Sequence, residues 1–158
     1  MEIGFVGLGS MGLPMAINLY KSGFNLKIHT RSRNNESNPD LLHCKACSSP
    51  YEVAKDVDLL LLCVTDDKAV NDVLFSENGA IASLKKNAVV IDFSTISYLS
   101  SVEFHERLIA KNILYIDSPV TGGTEAAKSG SLTVLVGGSE KDLEFIKPIY
   151  TSIGQSIF

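Results

Sequence analysis

This 158-residue chain has no tryptophan, three cysteines, and no excess of basic residues. Each shortage excludes something. Its longest apolar run, Leu59 to Val64, has strand length, whereas a membrane-spanning helix needs about 18 residues. An odd number of cysteines builds no closed disulfide framework, and Cys63 sits inside that apolar run, where a reduced thiol behaves as a small hydrophobe. The opening residues read as a strand and not as a charged and apolar leader, so a reducing, cytoplasmic setting is expected. Fourteen Lys and Arg stand against 18 Asp and Glu, a net charge of −4. That balance excludes nucleic acid or an anionic membrane as the main partner. Small anionic ligands remain open through local basic sites. With 45% hydrophobic residues there is ample material for one core.

The richest feature is at the start. Gly7, Gly9 and Gly12 fall in GxGxxG spacing, after the apolar run Ile3, Phe5, Val6 and before apolar residues at helical spacing from Leu13 to Tyr20. The glycines therefore lie on a strand-to-helix turn. There the first permits a tight turn, the second lets backbone approach a pyrophosphate, and the third lets helix and sheet pack closely. Free amides at the helix start would face the phosphates. Ser10 is the expected helix cap.

Strand patterns recur at residues 2–7, 25–30, 57–64, 88–93 and 113–117, with helical patterns at 10–21, 50–56, 67–75 and 97–111. This alternation predicts a parallel, doubly wound sheet. Ser49 with Pro50, and Asp66, mark helix starts, while Gly23 and Asn78-Gly79 mark stops. On the fourth helix Leu99, Val102, Leu108 and Ile109 are read as the apolar face. The polar stretch 31–39 reads as a mobile loop with at most a short helix after Pro39. Residues 132–136 read as a further strand, Gly137-Gly138 as a turn, and 140–150 as a helix interrupted by Pro148.

Residues 4 to 19, Gly-Phe-Val-Gly-Leu-Gly-Ser-Met-Gly-Leu-Pro-Met-Ala-Ile-Asn-Leu, resemble the opening signature of the β-hydroxyacid dehydrogenases, the family of 3-hydroxyisobutyrate dehydrogenase, tartronate semialdehyde reductase and 6-phosphogluconate dehydrogenase. Four later segments agree in order and spacing: Cys-Val-Thr-Asp-Asp from 63, Val-Leu-Phe-Ser-Glu-Asn-Gly from 73, Val-Ile-Asp-Phe-Ser-Thr-Ile from 90 and Asp-Ser-Pro-Val-Thr-Gly-Gly from 117. The resemblance covers the whole chain. It implies an α/β fold, a Rossmann-type doubly wound and mostly parallel sheet in a single domain, with an antiparallel strand near the C-terminus. Residues 1–158 then form one NADP-binding domain. The family's all-helical domain, with its catalytic lysine and most of the dimer interface, has no counterpart here, and Lys147 does not match the lysine's motif.

An acid about 20 residues beyond the glycines would bind a ribose 2′-hydroxyl. None is there. The second strand ends instead in His29-Thr30-Arg31-Ser32-Arg33, and a guanidinium beside hydroxyls suits a 2′-phosphate. NADP is therefore expected ahead of NAD. Arg31 is assigned to the phosphate, whereas for Arg33 phosphate binding and a solvated loop charge are both open.

The cofactor residues expected are Gly7, Leu8, Gly9, Ser10, Met11 and Gly12, then Thr30, Arg31 and Ser32, then Val64, Thr65 and Thr95. Thr95 is the resemblance's nicotinamide-ribose position, and helix capping is its alternative reading. Thr121, Gly122 and Gly123 stand where the family usually has Ser-Gly-Gly. By resemblance they bind the carboxylate of a 3-hydroxy acid.

Cys44-Lys-Ala-Cys47 beside His43 lacks the second ligand pair a structural zinc needs and reads as a short edge strand, so no metal is assigned. Asp66-Asp67 read as capping charges, and His29 and His105 as structural residues. The function implied is the cofactor half of an NADP-dependent oxidoreductase, inactive alone, that moves a hydride to or from a small 3-hydroxy acid or semialdehyde. The alternative is a non-catalytic NADP-binding module or half of a split protein. Self-association is expected through surface that the helical domain normally covers.

Overall fold

The computed structural model describes the backbone of residues 1–158 and every side chain outside 140–143. The elements run β1 (Ile3–Val6), α1 (Gly12–Lys21), β2 (Leu26–His29), β3 (Lys45–Ala46), α2 (Pro50–Ala54), β4 (Leu59–Leu62), α3 (Asp67–Phe75), β5 (Val89–Asp92), α4 (Tyr98–Ile109), β6 (Leu114–Asp117), β7 (Val120–Thr121), α5 (Gly123–Ser129), β8 (Leu132–Val134), α6 (Glu140–Ile153) and β9 (Gly154–Ile157). A single 3₁₀ turn spans Pro39–Leu41, and another Ala80–Ala82.

Six strands form a parallel sheet in the order β3-β2-β1-β4-β5-β6. The chain winds outward from β1 through β2 to β3, then crosses back to β4 on the other side of β1. That reversal opens a crevice at the carboxyl ends of β1 and β4, the place where such sheets bind ligands. A smaller sheet has the order β7-β8-β9. Its β7 and β8 are antiparallel and its β8 and β9 parallel, so the expected antiparallel pairing lies in a separate sheet.

All four residues of β1 and of β4 are buried, as expected for central parallel strands covered on both faces. Their alternation builds two cores. Leu59 and Leu61 pack with Met15 and Leu19 of α1, and with Leu132, Ile149 and Tyr150. Leu60 and Leu62 pack with Val70 and Leu74 of α3, and with Phe104 and Leu108 of α4.

Several helix starts follow the expected chemistry. The Ser49 hydroxyl accepts from the Glu52 amide before Pro50, and Asp66 accepts from the Ala69 amide. Asp67 is the acidic residue of the first turn of α3, and its carboxylate also accepts from the Ser97 amide and so anchors the start of α4. Gly23, at φ 92°, ends α1 with its own amide bonded to the Tyr20 carbonyl and that of Phe24 to the Leu19 carbonyl.

On α4 the expected face is corrected. Phe104 and Leu108, four residues apart, face the sheet at β6, while Leu99, Val102 and Ile109 lie a third to nearly half a turn away and are exposed. Pro148 lies inside α6 without ending it. No helix among the described residues is long and apolar enough to cross a membrane.

Candidate cofactor site

At the crevice between β1 and β4 lies a cavity of about 480 Å³. The turn into α1 contributes Gly7, Gly9, Ser10, Met11 and Gly12 to its wall, and the end of β2 contributes Thr30, Arg31 and Ser32. Val64 and Thr65 follow β4, and Thr95 follows β5. Of the cofactor residues expected from sequence, only Leu8 is missing from the lining. Its side chain is buried in the first core and its carbonyl accepts from Asn35 Nδ2 at 2.6 Å.

Packing explains two of the glycines. Gly7 has φ 104°, and a Cβ there would overlap the Cys63 carbonyl; a Cβ on Gly12 would overlap the Gly7 carbonyl. A side chain at either position would force α1 away from the sheet. At Gly9 nothing lies within 4 Å of the Cβ position, so its backbone is open to the cavity. Ser10 does not cap α1. The cap position is Met11, in helical conformation and without a side-chain hydrogen bond, so the helix starts at Gly12 with no side-chain acceptor of its own. That leaves the helix end available to an anion.

The turn after β2 is tied down, where the sequence reading expected a mobile loop. The Arg33 amide donates to the Thr30 carbonyl at 3.0 Å, which closes a four-residue turn with Arg31 and Ser32 at its centre. Arg31 is exposed at the cavity and makes no hydrogen bond or ion pair among the described residues. Arg33 does not line the cavity. It sits at φ 63°, pairs with Glu36 at 2.8 Å and donates to the Cys47 carbonyl at 2.8 Å. Its two open readings therefore give way to a third, a side chain held within its own loop. His29 Nδ1 lies 3.1 Å from the same carbonyl, which fits its reading as a structural histidine.

Thr95 does not cap α4; the Ser97 hydroxyl does, accepting from the Ser100 amide. The Ser94 hydroxyl accepts from the Val64 amide at 3.0 Å and so joins the ends of β4 and β5. Thr121, Gly122 and Gly123 lie outside the cavity lining, next in sequence to Val120, which belongs to it. Gly122 and Gly123 have φ 128° and 70°, and α5 begins at Gly123. Cys44 and Cys47 flank β3, and burial pushes both thiols above their usual range.

Beside Val120 and Ser94, the lining residues that the expected set leaves out are Val6, Cys63, Phe93, Ala69 and Asp72. Cys63, pushed up to about 12 mainly by burial, is no nucleophile at neutral pH. Phe93 meets Tyr150 edge-on, with ring centroids 6.2 Å apart. The signal that could have found Ala69 and Asp72 is their i, i+3 spacing on the helix that starts beside Thr65.

The family model for the NAD binding domain of 6-phosphogluconate dehydrogenase matches residues 2–158. The 2-hydroxy-3-oxopropionate reductase of Escherichia coli is 35% identical over 159 residues, which take in 99% of this chain and 53% of the reductase. Among solved structures, the 3-hydroxyisobutyrate dehydrogenase of Mycobacterium tuberculosis with L-serine superposes at a TM-score of 0.91 and 27% identity, over 99% of this chain and 53% of the enzyme. Psf3 in complex with NADP+ superposes at 0.91 and 26% identity, over 98% of this chain and 55% of that one. The chain spans about half the length of the curated relatives it matches.

Proposed function

We propose a function from the premise that this chain belongs to the family of the NAD binding domain of 6-phosphogluconate dehydrogenase: the cavity holds NADP, and the chain is the cofactor half of an oxidoreductase acting on a small 3-hydroxy acid or its semialdehyde. The observation that carries the reading is the joining of the glycine turn to Arg31 and Ser32 in one cavity at the sheet's reversal point. The residues fit the cofactor. The open backbone at Gly9 and the uncapped start of α1 suit a pyrophosphate, and the uncommitted guanidinium of Arg31 suits a 2′-phosphate. Val64, Thr65 and Thr95 offer short side chains and backbone to the rest of the dinucleotide. The cofactor supplies the hydride chemistry when bound.

The protein orients the cofactor and keeps water from it, with Phe93 and Val120 as apolar wall. Thr121, with Gly122 and Gly123, is assigned to a substrate carboxylate at the edge of the site, supported by the adjacency of Val120 and by the resemblance. No residue of the chain is given the proton-transfer role at the hydroxyl, so the chain alone binds cofactor and turns over little. Self-association through exposed apolar side chains such as Tyr98 and Leu99 is part of this reading, as is a cytoplasmic setting for three free thiols.

Titration with NADPH and with NADH, followed by nicotinamide fluorescence, tests it. The chain is expected to prefer NADPH, and Arg31→Ala to weaken NADPH about tenfold more than NADH, the scale of one lost charge-assisted contact. Equal losses for both cofactors would remove Arg31 from the phosphate, and binding of neither would overturn the cofactor reading.

A further inference from the structure

The turn that presents Arg31 and Ser32 is gripped at both ends by one buried carboxylate. Glu36, with 7% of its side chain exposed, accepts from the Thr30 amide through Oε1 at 2.9 Å and pairs with Arg33 through Oε2 at 2.8 Å. Thr30 and Arg33 are the first and last residues of the hydrogen-bonded turn. The neighbouring Asn35 ties the same segment to the Leu8 carbonyl within the glycine turn. Arg33 holds a left-handed φ of 63°, which for a non-glycine residue is strained and persists only where surrounding contacts impose it. Its guanidinium contacts, to Glu36 and to the Cys47 carbonyl, are what impose it.

We propose that Glu36 is a positioning residue for cofactor choice: with Arg33 it fixes the Thr30–Arg33 turn so that Arg31 and Ser32 stand ready for the 2′-phosphate of a phosphorylated dinucleotide. The inference rests on the reading of the cavity as an NADP site. A carboxylate near a phosphate site would ordinarily oppose the anion. Here both oxygens are engaged and the charge is matched by Arg33, so the gain in order outweighs the repulsion. Arg31 is left as the cation of the turn that faces the cavity.

Opposite charges on the two partners make the proposal testable by sign. If Glu36 and Arg33 act on the phosphate only through their field, removing the acid tightens NADPH and removing the base loosens it. If they act together on the turn, both losses go the same way. Glu36→Ala and Arg33→Ala are each expected to weaken NADPH about tenfold, as loss of a hydrogen bond to a charged group does, with NADH changed less than about twofold. Glu36→Gln, which keeps an acceptor for the Thr30 amide, is expected to recover part of the loss and also serves where the alanine variant fails to fold.

Tighter or unchanged NADPH binding by Glu36→Ala would overturn the proposal. So would parallel losses for NADPH and NADH, which would mark a general loss of structure. A wild-type chain without NADPH preference fails at the earlier step, the cofactor reading, and takes this inference with it.

Discussion

Asp92 has no exposed surface, yet it is not without partners: Tyr115 Oη donates to one of its oxygens and the Ser94 amide to the other, each at 2.9 Å. Burial nevertheless dominates and pushes its carboxyl up to about 6. In the unfolded chain the same group titrates near 3.9, so between the two values the folded protein holds a proton that the unfolded one has released. Its contribution to stability is therefore fully present below the unfolded value and is lost as pH rises through about 6. Urea midpoints at pH 7.5 and pH 5 are expected to show wild type gaining on Asp92→Asn as the pH falls, and a difference that does not move with pH would refute this. Neither the shift nor its cause could be read from the sequence. In the string Val-Ile-Asp-Phe, Asp92 reads as an ordinary strand-end residue, and only its complete burial between neighbouring strands, with Asp117 adding a little, makes it unusual. Glu36 teaches the same lesson, because the seven polar residues around it in 31–39 point to a mobile loop and its burial comes from contacts with Thr30 and Arg33 that composition does not encode.

At the scale of elements, what was legible depended on local chemistry. The starts at Ser49-Pro50 and Asp66 and the stop at Gly23 are made by side chains or backbone within four residues, and all three were readable. The buried face of α4 was not, since apolar residues lie on both sides of that helix and only the position of β6 decides between them. The helix α5 and strand β7 carry no strong pattern in the sequence, because each is short and Gly122, Gly123 and Gly130 punctuate the segment. What secures α5 is distant in sequence: Asn18 Nδ2, on α1, donates to the Ala127 carbonyl at 2.8 Å and so closes the end of the helix that begins beside Thr121. Asn18→Ala is expected to lower stability by about 1 kcal/mol, the usual worth of such a bond. Asn18→Asp, of the same shape but with an acceptor facing a carbonyl, should cost more at neutral pH. Urea midpoints of the two variants check this, and equal losses would mean that Asn18 acts by packing alone.

For the whole molecule, the doubly wound order and the crevice could be anticipated from the alternation of strand and helix, while the division into two sheets could not. The first core nonetheless runs through both: Ile3, Phe5 and Met15 share one continuous cluster with Leu132, Val134 and Tyr150. The Tyr150 hydroxyl meets the Ser118 hydroxyl at 2.8 Å in the buried interior, which fastens α6 to the residue that follows β6. The three-stranded sheet therefore has no core of its own and should unfold with the rest. Far-ultraviolet and tyrosine near-ultraviolet dichroism are expected to give one coincident urea transition, and two separated transitions would show the small sheet to be an independent unit. The lack of tryptophan makes the tyrosines the natural reporters. At the outer margin of the large sheet, β3 is two residues long, Lys45 and Ala46, both exposed, and the chain turns into Ser48, Ser49 and Pro50 directly after Cys47. A strand from a second molecule finds a ledge of two residues there, one of them charged, and then a proline. In crowded solutions of the folded protein that margin is thus a poor template for fibril growth.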